Sequence, residues 1–173
     1  METNFSQARK WIISAIHDID RVLKDLKTED FADIAFRCQF AVEKLNKSIL
    51  NLMGIKSIKT HTPSIILKDV LKNEESINID EKTREILKQI CNYSKFFEEE
   101  GTKTRYGIFK NGELIISEEI YSTIKDIEKF LKYLGIIINF FLVLLKESFK
   151  LTDKQIDELM QFEKLMDELK KWV

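Results

Sequence analysis

The sequence predicts an all-α protein of about five to six helices, and two observations predict it. Apolar residues recur at steps of three and four along most of the chain, the spacing that draws a stripe down an α-helix. One Pro and five Gly in 173 residues leave few places where a helix must stop, which favours long helices and short loops over a sheet with many turns. With 44% hydrophobic residues the chain, residues 1–173, can bury the core of one domain.

Phe5 to Leu26 forms the first helix, with Ala8, Ile12, Ala15, Ile19, Val22 and Leu26 on one side. The connection Thr28-Glu29-Asp30 is short enough to fold the second helix back antiparallel. That second helix, Phe31 to Gly54, organises the rest. Ile34, Ala35, Cys38, Ala41, Val42, Leu45, Ile49 and Leu52 make one continuous stripe. Asp30 can accept from the free N–H groups of the first turn, and Gly54 can take the left-handed conformation that closes the last. Arg37, Gln39, Glu43, Lys44, Asn46 and Lys47 fall off the stripe, and Glu43 and Lys44 read as a solvated face. Pro63 suits the first turn of a third helix over Ser64 to Leu71.

Asp80 starts a fourth helix carrying Ile86, Leu87, Ile90, Cys91, Tyr93, Phe96 and Phe97 to the acidic run Glu98, Glu99, Glu100. Negative charge opposes the dipole at a helix C-terminus, so the helix is expected to fray there. Gly101 to Ser117 does not read as helix. Asn111-Gly112 between apolar pairs signals a type I′ β-hairpin near residues 106–116, with Lys110 opposite Glu113 and Phe109 opposite Leu114. An irregular loop is the other reading, because a lone hairpin is marginal unless it leans on the helices.

Ser117-Glu118-Glu119 begins what should be the longest helix, whose Ile120, Ile124, Ile127, Leu131, Leu134, Ile138, Phe141 and Leu145 form a heptad seam. From Leu134 the helix is apolar all round. The run is short of the roughly 20 residues a membrane span needs, contains Asn139 and is bounded by Lys132 and Lys146. No membrane association is expected. So much apolar surface in a small domain predicts burial against a second copy, a homodimer. Thr152 to Gln155 reads as a capping box for a helix added to the bundle over residues 152–173, with Leu159, Phe162, Met166, Leu169 and Val173 at helical spacing.

The charge balance, 28 Lys and Arg against 29 Asp and Glu, excludes a protein that coats nucleic acid by bulk charge. Cys38 and Cys91 both lie in apolar helical patterns and read as buried thiols of a reducing compartment. With no secretory signal at the N-terminus, the expected location is cytoplasmic. No H-E-x-x-H, G-x-S-x-G or Gly-rich phosphate loop occurs, and no two His are spaced for a metal. No catalytic residue, metal or cofactor is therefore assigned. His17 belongs to the polar side of the first helix. His61, in a Thr-His-Thr-Pro turn, either fixes the loop by hydrogen bonding or borders a site. From Gly101 to Gly112 the chain carries Lys103, Arg105 and Lys110 and no acid, with Tyr106 beside Arg105. Arg next to an aromatic ring can hold an anion or a nucleobase. Arg105 could equally be structural, paired with the nearby acidic run.

The second helix, followed by Thr60-His61, by Ile90-Cys91-Asn92-Tyr93 and by Thr104-Arg105-Tyr106, resembles the HEPN family from about Phe5 to Leu145. The order and approximate spacing of these motifs agree with the prokaryotic type that accompanies minimal nucleotidyltransferases. The resemblance implies an up-and-down antiparallel helical bundle, usually dimeric, with a functional cleft near the dimer interface. Many family members are metal-independent ribonucleases using Arg followed after four to six residues by His. Here no His follows Arg105, and the family's Arg-Tyr-Pro reads Arg-Tyr-Gly. Without that imidazole the mechanism lacks its base. The resemblance therefore implies a non-catalytic module that binds a nucleotide, RNA or a protein partner, paired with a minimal nucleotidyltransferase in a toxin–antitoxin-like system. Its site would be Arg105 and Tyr106, supported by Lys103, with His61 and Lys44 as neighbours. The alternatives are a ribonuclease using His61 as a displaced base and a purely structural dimerisation domain.

Overall fold

Two long helices folded against each other frame the molecule. The computed structural model describes residues 4–55, 59–72, 79–151 and 157–172. Helix α1 (Phe5–Thr28) ends at Glu29 in the left-handed conformation, and α2 (Phe31–Leu52) starts two residues later, capped by the Asp30 carboxylate, which accepts from Asp33 N at 3.1 Å. Gly54 has φ 75°, the conformation expected of it at the end of α2. Helix α3 (Pro63–Lys72) begins at the proline, and α4 (Glu81–Tyr106) begins after the Asp80 cap. Cross-helix hydrogen bonds from Asn46 to Ser94 and from Arg105 to Gln39 show that α2 and α4 run antiparallel. Strands β1 (Ile108–Lys110) and β2 (Glu113–Ile115) form the hairpin, with Phe109 opposite Leu114 and Lys110 opposite Glu113 as the sequence implied. Short α5 (Ser117–Ile120), α6 (Ile124–Val143) with a π-helical turn (Leu144–Ser148), and α7 (Glu158–Leu169) complete the chain. The stripes of α1 and α2 meet in the core, and Phe96, Phe97, Phe130 and Tyr133 stack edge to face between α4 and α6 at 4.8–5.8 Å.

Three expectations are corrected. First, α4 does not end at the acidic run. It continues to Tyr106, because each carboxylate has a partner: Glu98 accepts from Ser64, Glu99 pairs with Lys95, and Glu100 takes Lys103 and the Tyr121 hydroxyl. What stops the helix is Gly107, at φ 71°, where a Cβ would lie 2.1 Å from the Ile115 carbonyl oxygen. Proline, with its φ near −65°, cannot occupy this position, so the departure from Arg-Tyr-Pro goes with the hairpin. Second, the longest helix is α4, of 26 residues. The stretch expected to be longest breaks at Tyr121 to Thr123, where the Asp126 carboxylate accepts from Ser122 N, Thr123 N and Thr123 Oγ1 and starts a new helix.

Third, part of the apolar surplus of α6 is covered within the chain. Helix α7 packs on α6 and α1, with Phe162 5.6 Å from the Phe141 ring, and Arg9 of α1 holds the buried Glu158 at 3.1 Å. The part that α7 covers needs no second copy, while Ile136, Phe140, Leu142 and Val143 stay half-buried. The capping box at Thr152 to Gln155 and Val173 lie outside the described residues. Among the described residues, no helix is long and apolar enough to cross a membrane.

Candidate functional site

Gln39, Glu43 and Lys47 follow one another at steps of four on α2, so they share one face of the helix. That face is interior: Gln39 is 2% exposed, Glu43 7% and Lys47 8%. A carboxylate this buried is costly unless paired and hydrogen-bonded, and Glu43 is both. Its Oε1 accepts from Lys47 Nζ at 2.7 Å. Its Oε2 meets Gln39 Nε2 at 3.3 Å, Arg105 Nη2 at 3.3 Å and His61 Nδ1 at 3.2 Å. Burial pushes the Glu43 carboxyl up, but Lys47 and His61 outweigh it and hold the group below the usual carboxylate range. Lys47 also lies over the Trp11 ring, 4.9 Å from its centroid, which fixes its ammonium from the other side.

Arg105 sits in the last turn of α4 rather than on a loop, where its charge suits the helix dipole. Its partners are not the acidic run of its own helix but Gln39 Oε1 at 2.9 Å and Glu43, across the gap to α2. The guanidinium stacks on Phe40 at 4.8 Å, and its Nε is buried without a hydrogen-bond partner. With Nη2 engaged by Gln39 and Glu43, Nη1 is the donor left for a ligand. Above this cluster opens a cleft of about 340 Å³, lined by Gln39, His61, Thr62, Glu98, Arg105 and Tyr106 among others. The His61 side chain is 71% exposed while Nδ1 is held by Glu43, and Tyr106 is 72% exposed.

The structure thus brings Arg105, Tyr106 and His61 to one cleft, and leaves Lys103 and Lys44 out of it. Lys103 turns to Glu100 of its own helix at 2.6 Å. Lys44 is not a solvated side chain either: it binds Asp18 of α1 and reaches the cleft region only through the Phe40 ring, 5.6 Å away. Glu43, Gln39, Lys47 and Glu98 were missed as site residues. The step of four along α2, off the apolar stripe, was the signal that could have found the first three. Among the described residues, no three or more His, Cys, Asp or Glu are grouped to hold a metal ion.

A Glu-oriented imidazole beside an arginine, open to solvent, can bind a phosphate, stack a base and exchange a proton. No curated protein and no solved structure matches the chain. A family model described as the HEPN domain matches residues 8–148. This match runs from the first turns of α1 to the end of the π-helical turn and includes every residue of the cleft. The chain belongs to the HEPN family.

Proposed function

We propose that the protein binds a nucleotide, free or within RNA, with its phosphate at Arg105 and His61 and its neighbouring groups against Tyr106. The observation that carries this reading is the convergence of Arg105 and His61, 44 residues apart in sequence and both lining an open cleft, on the single buried carboxylate of Glu43. Arg105 itself is a poor probe, because its side chain is only 15% exposed and its loss would disturb the interior. His61 and Tyr106 are clean probes. His61→Ala and Tyr106→Ala should each weaken binding of a labelled single-stranded RNA or a nucleoside monophosphate several-fold by fluorescence anisotropy. Their stability should change by no more than about 0.5 kcal/mol. Wild-type affinity in both variants would overturn the assignment.

A second reading, metal-independent RNA cleavage, is favoured by one geometric fact: Glu43 holds His61 Nδ1 at 3.2 Å, which leaves Nε2 of an exposed ring to act as base. In that reaction the ribose 2′-oxygen bonds to phosphorus and its proton passes to His61. The P–O5′ bond breaks, and O5′ takes a proton from water. RNA cleavage in EDTA that disappears in His61→Ala would establish it, and intact RNA would leave the non-catalytic reading.

The remaining assignments extend the reading of the sequence and of the family. The chain acts as one domain with α7 as an appended helix. It is cytoplasmic, forms a homodimer, and pairs with a minimal nucleotidyltransferase in a toxin–antitoxin-like system. Sedimentation at micromolar concentration tests the dimer, where a well-folded monomer would exclude it. Co-purification with a co-expressed minimal nucleotidyltransferase tests the pairing.

A further inference from the structure

The hydrogen bond that orients His61 also decides which of its nitrogens can meet a ligand. Glu43 is held below the usual carboxylate range, so it is ionised and can only accept. His61 Nδ1, 3.2 Å from Glu43 Oε2, is therefore the donor of that pair. In a neutral imidazole one nitrogen carries the hydrogen and the other a lone pair. With the hydrogen at Nδ1, the nitrogen left on this ring, 71% exposed and lining the cleft, is Nε2 with its lone pair. A phosphate oxygen is an acceptor as well, and two acceptors repel. Neutral His61 thus has no donor for a phosphate, whereas the imidazolium has an Nε2–H and a positive charge.

The charges around the ring leave an anion little other attraction. From α2 comes Glu43, which is paired with Lys47. From α4 come Arg105 and Glu98, which line the cleft together with the Tyr106 phenol. From α3 comes Ser64, which donates to Glu98; Lys68 of the same helix acts on Glu98 but does not line the cleft. In the turn itself the neighbours are the hydroxyls of Thr60 and Thr62, and exposed Lys59 is not among the lining residues. Two cations, Lys47 and Arg105, therefore stand against two carboxylates, Glu43 and Glu98. The cleft gains a net positive charge when His61 takes a proton, and histidine is the side chain that changes charge near neutral pH.

We infer that the cleft takes up a nucleotide phosphate together with one proton from solvent, which His61 carries on Nε2 and donates to a phosphate oxygen; this rests on the nucleotide site proposed above. Binding and protonation favour each other by the same factor. The cleft fills as pH falls through neutrality and empties as it rises, while Glu43 stays ionised and keeps the ring in place.

A labelled single-stranded 2′-O-methyl oligouridylate tests the inference, because its diester phosphates and bases do not change charge between pH 6 and pH 8 and it has no free 2′-hydroxyl to react. Its Kd for the full chain should be about tenfold or more lower at pH 6 than at pH 8, the factor expected of one charge-assisted hydrogen bond. His61→Asn keeps a donor for Glu43 but has no titrating nitrogen. Its Kd should match that of the unaltered protein at pH 8 and should not fall at pH 6. The ratio of the two Kd values cancels any titration of the ligand, so it is read in the same way with a nucleoside monophosphate. A second measurement uses the unaltered protein alone: calorimetry at pH 7.5 in two phosphate-free buffers of different ionisation heat should show net proton uptake on binding. An affinity unchanged between pH 6 and pH 8, or a pH dependence that His61→Asn retains, would overturn the inference and leave the nucleotide site standing. Failure of both ligands to bind at pH 6 would overturn the site itself.

Discussion

The polar face of α2 and the β-hairpin are inverted relative to each other. On α2, Gln39, Glu43, Asn46 and Lys47 are interior, while on the hairpin Phe109 is 79% exposed and Leu114 48%. The polar face can be buried because α4 and the turn before α3 bring Arg105, Ser94 and His61 to it, so that nearly every donor and acceptor is matched. The hairpin can be exposed because its three-residue strands are held by the turn and by their junction with α4 at Gly107, not by burial of their side chains. Polarity of a side chain therefore does not say which face is inside; the availability of partners does.

The largest effect should come from breaking the interior polar face. Glu43→Ala leaves Lys47 and Arg105 without their shared anion, and removing one partner of a buried pair costs about 3–5 kcal/mol. Urea denaturation measures it, and a loss below about 1 kcal/mol would mean that water reaches the cluster. The same carboxylate sets an acid limit. Because its folded pKa is depressed, its stabilisation is present above the ordinary carboxylate range and is lost as pH falls through the folded value. Glu43→Gln should flatten this acid limb in a series of melts between pH 2 and 6.

Next in size is the junction that fixes the hairpin. Gly107→Ala puts a Cβ 2.1 Å from the Ile115 carbonyl oxygen at a φ of 71°, so it should cost more than about 1 kcal/mol. NMR should show the loss concentrated in the amide shifts of β1 and β2. An unchanged hairpin spectrum would show that the strands do not depend on this turn.

Asp25 sharpens the contrast between a paired carboxylate and an unpaired one. Burial first, then Asp33 and Asp30, push its pKa up to about 6. The native state then holds a proton that the unfolded chain has already released, so stability falls as pH rises from the ordinary Asp range to about 6. Asp25→Asn should raise the Tm at pH 7.5 and have little effect at pH 4, with a gain under about 1 kcal/mol because the group is partly solvated. A lower Tm at pH 7.5 would reverse the sign of this argument. The smallest change should be Phe109→Ser, within about 0.5 kcal/mol for a side chain so exposed.

Most elements were legible locally. The caps at Asp30 and Asp80, the start at Pro63 and the Asn111-Gly112 turn are read from a few adjacent residues, and each signal acts over one turn of chain. The second helix, Thr60-His61, Ile90 to Tyr93 and Thr104-Arg105-Tyr106 together were enough to point to the family. Thr123 and Asp126 were an equally local signal for the break before α6, hidden by the apolar periodicity that continues across it.

What the sequence by itself determined is most of the helices, the hairpin register and the presence of an Arg-Tyr motif, because these depend on backbone preferences and on spacings of two to four residues. Only the tertiary structure decided which polar residues are interior and what they do. Glu43 acquires its role from His61, 18 residues away, and Arg105, 62 residues away. Glu98 keeps α4 intact through Ser64 rather than fraying it. Helix α7 covers apolar surface on α6 that otherwise called for a second chain. In each case the free energy of a buried charge or an apolar face depends on the group opposite it, and periodicity along one helix carries no information about that group.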